Sequence, residues 1–182
     1  MVMSPAGGDV SAKPTIRREL RAGDLGMIVA HHGHVYGEEY GVDSTFEGYV
    51  AAAVARAAVR GFPSWREAIR LVELDGEHAG SLALTDEGNG EAAIRWFVLS
   101  PEVRGHGLGR RLLGEILARA AEVGYSRVCL ETFSELEAAA HLYRDHGFEL
   151  VSADAAPRWG RKRITYQRYG LELAPTLARL SA

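Results

Sequence analysis

Hydrophobic positions near the start of the chain follow the period of amphipathic helices. Asp24 is a candidate N-cap for a helix that runs to about Tyr36. In the stretch VDSTFEGYVAAAVARAAV, Ser44 and Glu47 have the spacing of a capping box, and a second helix is predicted after them. Pro63 follows the end of that helix, as expected of a stop signal.

The pattern then changes to the two-residue alternation of β-strands. Residues 68–99 hold three strand-like segments, which Asp75-Gly76 and Gly88-Asn89-Gly90 separate as turns, so a β-meander is predicted. Further strand-like segments lie at 15–20, 127–133 and 164–173.

Two more amphipathic helices are predicted around the strand RVCLETF. The first runs from about Gly107 to Val123, and the second, ELEAAAHLYRDHGF, closes at Gly147. The chain has 182 residues and shows no internal repeat and no low-complexity linker. It is therefore predicted to form a single α/β domain over residues 15–182, preceded by a loose, disordered tail at 1–14.

The composition argues against several classes of protein. Lys and Arg number 21 and Asp and Glu 24, and this net charge of −3 opposes bulk attraction to nucleic acid or membranes. No apolar run approaches the roughly 18 residues that span a bilayer, and the first residues lack the apolar core of a signal peptide, so a cytoplasmic protein is expected. The lone Cys129 excludes an intrachain disulfide and is interpreted as a buried structural thiol.

The stretch HHGH at 31–34 resembles part of a metal site, because His31 and His34 could share a helix face. No third ligand stands at a useful spacing, and Gly33 weakens the local helix. An acceptor-site or surface role is favoured, and no metal site is predicted.

The stretch FVLSPEVRGHGLGRRLLGEIL, from Phe97 to Leu117, carries the clearest chemical signal. Three alternating glycines separate a strand from a helix, and arginines flank them: Gly105, Gly107 and Gly109, with Arg104, Arg110 and Arg111. A helix that opens from such a loop offers unpaired N–H groups to an anion, usually a phosphate. The P-loop pattern is absent, and the GxGxG spacing after a meander does not match a dinucleotide fingerprint. A plain turn needs neither three glycines nor this local charge.

These residues resemble a family. VRGHGLGRRLL looks like the acyl-CoA signature of the GNAT superfamily of N-acetyltransferases, with Arg104, Gly107 and Gly109 at its fixed positions. AAAHLYRDHGFEL is similar to the second signature of that superfamily, a helix that carries Tyr and then Gly-Phe. The resemblance covers roughly residues 15–173. It implies the GNAT fold, a mixed and mostly antiparallel central sheet that splays at the coenzyme site and has helices on both faces.

The resemblance also implies acetyl-CoA as co-substrate, without a metal. The pyrophosphate is expected on the N–H groups of the glycine loop, and the pantetheine arm on the free backbone at the end of the preceding strand. The implied coenzyme-binding residues are Phe97, Val98, Leu99, Arg104, Gly105, His106, Gly107, Leu108, Gly109, Arg110 and Tyr143.

Two proton transfers remain to be assigned. By resemblance Tyr143 is the general acid for the leaving thiolate, or it orients the sulfur without giving up its proton. Glu39 is a candidate general base, with Glu38, Glu131 and a water relay as alternatives. The expected acceptor-binding residues are Tyr36, Glu39, Tyr40 and Glu131.

A narrower resemblance joins HHGHVYGEEYGVDSTFEGYV and WGRKRITYQRY to the acetyltransferase half of proteins that carry a MarR-type DNA-binding domain ahead of it. Only about 14 residues precede the first predicted strand, so a domain standing alone is expected.

The function implied is transfer of acetyl from acetyl-CoA to a primary amine of a small molecule or amino-acid-like acceptor, by direct attack in a ternary complex. No nucleic-acid or membrane partner is expected, and a homodimer is left open. The alternative is a non-catalytic acyl-CoA-binding or sensing module, which would need the glycine loop but not Tyr143.

Overall fold

The computed structural model describes residues 13–174. The strands are β1 (Thr15–Arg17), β2 (Ala68–Leu74), β3 (Glu77–Gly88), β4 (Glu91–Leu99), β5 (Arg127–Phe133), β6 (Glu149–Arg158) and β7 (Arg161–Glu172). The helices are α1 (Asp24–Tyr40), α2 (Ser44–Val59), α3 (Leu108–Glu122) and α4 (Glu137–Asp145), with a 3₁₀ turn at Pro101–Val103. Most of the predicted tail lies outside the described residues.

The seven strands form one sheet in the order β1-β2-β3-β4-β5-β7-β6. Only β4 and β5 pair in parallel, while every other neighbouring pair is antiparallel. The predicted meander is confirmed as β2, β3 and β4. Its turns use left-handed backbone at Asp75-Gly76 and Asn89-Gly90, which matches the twist of a tight hairpin.

The starts of the first two helices correct the sequence interpretation. The N-cap of α1 is Gly23, because the Asp24 carboxylate instead accepts hydrogen bonds from Arg17, at 2.6 and 2.8 Å. Asp43, not Ser44, caps α2 by accepting the N–H of Thr45 at 3.0 Å. The predicted capping box is therefore wrong by one residue.

Two apolar layers sandwich the sheet. The layer under α3 and α4 includes Leu112, Ile116 and Tyr143, and the layer under α1 and α2 includes Phe46 and Phe133. Cys129 is buried as predicted, and burial raises the pKa of its thiol to about 11. Within residues 13–174 no helix is long and apolar enough to cross a membrane.

The parallel strands β4 and β5 part in the middle of the sheet. Their last paired residues are Ile94 and Leu130, so the rest of β4 has no strand partner on that side. Just beyond this point the register between β3 and β4 shifts, and Trp96 has a φ of 50°. An extra residue in one strand bends it, and this bulge lies where β4 leaves β5.

Candidate functional site

A groove of about 620 Å³ runs along the free edge of β4, between α1, α3 and α4. Of the predicted coenzyme-binding residues, all but His106 line this coenzyme groove. The exposed His106 side chain instead makes a 2.9 Å hydrogen bond through Nδ1 to the carbonyl of Arg104. The coenzyme-binding residues implied by the resemblance, apart from His106, therefore lie around one cavity.

The glycine loop leaves open space and unused hydrogen-bond donors at one end of the coenzyme groove. Gly105 and Gly107 have φ values of 83° and 74°, and a Cβ added at either would meet nothing within 4 Å. No side chain caps α3, whose first backbone bond runs from Arg111 N–H to the Gly107 carbonyl. The three preceding N–H groups of the helix have no partner among residues 13–174, so they are free to hold a pyrophosphate.

Arg104 links this loop to the end of α1. Its Nη1 donates to Glu39 Oε2 at 2.9 Å, its Nη2 lies 2.8 Å from Oε1, and its Nε donates to the Leu99 carbonyl at 2.8 Å. The first helix was predicted to end at about Tyr36, before Glu39, but α1 extends to Tyr40 and includes Glu39. The side chain of Glu39 lines neither the coenzyme groove nor the neighbouring pocket.

Tyr143 projects from α4 into the buried layer beneath the coenzyme groove. Its ring packs against those of Phe97, Phe148 and Tyr169, and only 5% of the residue is exposed. Burial raises the pKa of its hydroxyl well above the ordinary value. The hydroxyl is therefore a proton donor throughout the neutral range.

A second cavity, of about 100 Å³, lies on the α1 and α2 side of the parted strands. We call it the aromatic pocket, because its walls include Tyr36, Phe46, Tyr49, Phe133, Trp159 and Tyr166. It shares the residues Tyr36, Phe97 and Tyr143 with the coenzyme groove. The two cavities therefore meet where β4 and β5 part.

Glu131 and Arg95 are the charged residues of the aromatic pocket, and each directly follows the last paired residue of its strand. Arg95 Nη1 donates to Glu131 Oε2 at 2.7 Å, and the Tyr49 hydroxyl lies 3.3 Å from the same oxygen. Although burial alone would raise the pKa of Glu131, the guanidinium and these hydrogen bonds hold it below its ordinary value. Glu131 is therefore a carboxylate at neutral pH.

The predicted acceptor-binding residues separate into two groups. Tyr36 and Glu131 line the aromatic pocket, whereas Tyr40 lines only the coenzyme groove. The sequence analysis missed Tyr49, Phe133, Tyr166 and Arg95. Of these, Tyr166 could have been predicted, because it lies two residues after the buried Ile164 on β7 and therefore on the same face of the sheet.

The histidines of HHGH do not converge. His31 Nε2 lies 2.9 Å from Ser100 Oγ, while His34 Nε2 lies 3.5 Å from Glu38 Oε2. Among residues 13–174, no group of three or more potential ligands of the His, Cys, Asp or Glu type could hold a metal ion.

Known proteins similar in sequence to this chain include acetyltransferases. The model of the acetyltransferase (GNAT) family matches residues 43–148. An uncharacterized N-acetyltransferase of Schizosaccharomyces pombe is 29% identical over 152 residues, which cover 81% of this chain and 86% of that protein. The amino-acid acetyltransferase of Shewanella oneidensis is 32% identical over 111 residues, or 59% of this chain; the match spans only 24% of that longer protein.

Solved structures share the fold. The structure of yncA from Salmonella typhimurium, determined with its cofactor acetyl-CoA, has a TM-score of 0.65 and 19% identity, over 94% of this chain and 100% of that one. At this identity the similarity concerns the fold alone, and it confirms the mixed, splayed sheet expected from the sequence.

Proposed function

Because this chain belongs to the acetyltransferase (GNAT) family, we propose that it transfers the acetyl group of acetyl-CoA to a primary amine of a small molecule. The observation that carries the proposal is the junction of two cavities at Tyr36, Phe97 and Tyr143. A donor in the coenzyme groove and an acceptor in the aromatic pocket would meet there. Holding two reactants in contact is itself a large contribution to the rate of a direct attack.

Acetyl-CoA, when bound, supplies a thioester that an amine can attack. The N–H groups of Leu108, Gly109 and Arg110 would hold its pyrophosphate at the start of α3. The unpaired edge of β4 offers backbone groups to the amides of the pantetheine arm, as an added strand would use them. The acetyl-CoA bound to the related fold of yncA supports this choice of donor.

Tyr143 acts as the proton donor for the departing thiolate in this proposal. Tyr143 lines both cavities, and its hydroxyl keeps its proton because burial raises its pKa. Among residues 13–174 the hydroxyl makes no hydrogen bond to another side chain, so it is free to donate to a bound sulfur.

Glu131 holds the incoming ammonium, and a relay of water molecules carries one proton from that ammonium to the bulk solvent before the amine attacks. The Arg95 guanidinium lowers the pKa of Glu131, and a carboxylate of low pKa is a weak base but a good partner for a cation. Glu39 faces Arg104 instead of the aromatic pocket, so its part is to hold that guanidinium beside the coenzyme groove.

The test is to incubate the protein with acetyl-CoA and a panel of primary amines, and to measure free thiol together with the mass of the product. The proposal predicts thiol release that depends on the amine and an N-acetylated product. Acetyl-CoA binding without transfer to any amine would contradict it and would favour the acyl-CoA-sensing module.

A further inference from the structure

We propose that the acceptor is an arylalkylamine, a primary amine that carries one aromatic ring and no carboxylate. This inference rests on the proposed function, because it names the substrate class of the same site. The features that carry it are the rings that form the aromatic pocket, the size of that pocket and the distribution of charge around it.

The walls of the aromatic pocket are built for an apolar, flat group. Phe46 contacts the rings of Tyr36 and Trp159 at centroid distances of 4.9 Å each, and Trp159 packs at 6.0 Å against both Phe133 and Tyr166. Such rings bind another ring by stacking or by edge-to-face contact. They also accept a cation on their faces.

The volume of the aromatic pocket limits the size of the acceptor. At about 100 Å³, it is close in scale to the cavity of about 150 Å³ that accommodates benzene in an engineered protein core. The pocket therefore has room for no more than one ring, so the alkyl chain of the acceptor must extend toward the junction with the coenzyme groove, and a peptide does not fit.

The charges around Glu131 favour an ammonium group and disfavour a carboxylate. Arg95 is engaged by two carboxylates, with Nη1 at 2.7 Å from Glu131 and Nη2 at 3.4 Å from Glu87, so its guanidinium is already paired and does not attract a carboxylate of the acceptor. Glu131 directly follows the last paired residue of β5 and lines the same small cavity as Tyr143. An ammonium group held there is therefore close to the junction of the cavities.

Among the lining residues that lie within 13–174, no other one offers a free cation to a carboxylate of the acceptor. Burial lowers the pKa of His32 to about 4, so this lining side chain is neutral, and its Nδ1 is bonded to the Ile28 carbonyl at 2.8 Å. Outside the lining, Arg158 lies over the ring of Tyr166 and pairs with Asp154 at 3.4 Å. An α-amino acid would therefore bring a carboxylate that these residues leave unmatched, at a cost in affinity.

The test measures acceptor binding without acetyl transfer. The protein is saturated with free CoA and titrated in a calorimeter with phenethylamine, phenylalanine and the diamine putrescine. Phenethylamine is expected to bind at least about tenfold more tightly than either of the others, because only it matches both the rings and the charge. Equal or tighter binding of phenylalanine or putrescine, or no binding of phenethylamine, would overturn the inference.

Two matched variants separate the role of Glu131 from the mere loss of a partner of Arg95. Glu131→Gln should weaken phenethylamine binding by about tenfold, since it removes the charge that faces the ammonium. Glu87 is the other partner of Arg95 and does not line the aromatic pocket. Glu87→Gln should therefore change the affinity for phenethylamine by less than about twofold. The inference is wrong if the two variants weaken binding equally.

The two proposals fail in distinguishable ways. If phenethylamine binds as expected but acetyl-CoA yields no acetylated product with any amine of the panel, the proposed function fails and the assignment of the binding class stands. If another amine is acetylated while phenethylamine does not bind, the substrate class fails and the proposed function stands.

Discussion

Arg104 contacts both carboxylate oxygens of Glu39, at 2.9 and 2.8 Å, and bonds through Nε to the carbonyl of Leu99. This pairing fixes the last turn of α1 against the end of β4, beside the glycine loop. Glu39 does not line the coenzyme groove itself, so it acts on that groove through the guanidinium that it holds.

Replacing Glu39 by Gln should therefore weaken acetyl-CoA binding by about threefold to tenfold, because Arg104 loses a partly exposed charged partner. The pH profile of kcat should keep its shape. The matched control is Glu38→Gln on the same helix, because the Glu38 carboxylate pairs with no residue of 13–174 other than the exposed His34. A large fall in kcat with loss of the acidic limb of its pH profile would instead identify Glu39 as the general base.

Tyr143→Phe should lower kcat by about a hundredfold or more, since it removes the hydroxyl that we propose as the proton donor. Acetyl-CoA affinity should stay within about twofold, because the ring contacts with Phe97 and Phe148 remain. Tyr169→Phe is the control, as its hydroxyl faces Gln167 and Arg144. Unchanged turnover in Tyr143→Phe would remove this residue from the mechanism.

Gly107→Glu should abolish detectable acetyl-CoA binding in a calorimetric titration, because it places negative charge where the pyrophosphate is expected. Gly107→Ala carries the same backbone strain, since the φ of 74° disfavours any side chain, but adds no charge. Measurable affinity in the Ala variant with none in the Glu variant is the predicted result. Equal loss in both would show that only the backbone matters.

The buried histidines make stability depend on pH. Burial lowers the pKa of His32 in the folded protein to about 4 from its ordinary value of 6.5, so the unfolded chain binds the proton first as the pH falls. The stabilising contribution is present above pH 6.5 and is lost between 6.5 and 4. His31 and His78 shift in the same direction.

Chemical denaturation at pH 7 and pH 5 tests this linkage. Protonation of His32 alone should lower the free energy of unfolding by about 2 kcal/mol between pH 7 and pH 5. His32→Gln should remove this part of the loss. A variant whose stability falls between the two pH values as steeply as that of the original chain would contradict the assignment.

Much of the fold was readable because its signals are local. Asp75-Gly76 and Asn89-Gly90 each supply a pair of left-handed residues, and three alternating glycines mark the start of α3. The cap of α2 was misplaced because Asp43 and Ser44 are both good caps and adjacent in the chain, so tertiary packing decides between them.

The aromatic pocket could not be read in the same way, because its residues come from distant elements. Tyr49 on α2, Glu131 on β5 and Tyr166 on β7 are joined by hydrogen bonds only after the sheet has formed. The bulge at Trp96, which lies where the strands part, places a non-glycine residue in left-handed backbone and has no local sequence signal.

We propose that the glycine loop and the free edge of β4 bind an acyl-CoA, with its pyrophosphate on the N–H groups of the loop. The most direct test of this proposal is calorimetric titration of the protein with acetyl-CoA and with S-acetylpantetheine, which lacks the pyrophosphate. We expect micromolar binding of acetyl-CoA and affinity for S-acetylpantetheine that is weaker by about a hundredfold or more. No binding of acetyl-CoA, or equal binding of the two, would contradict the account.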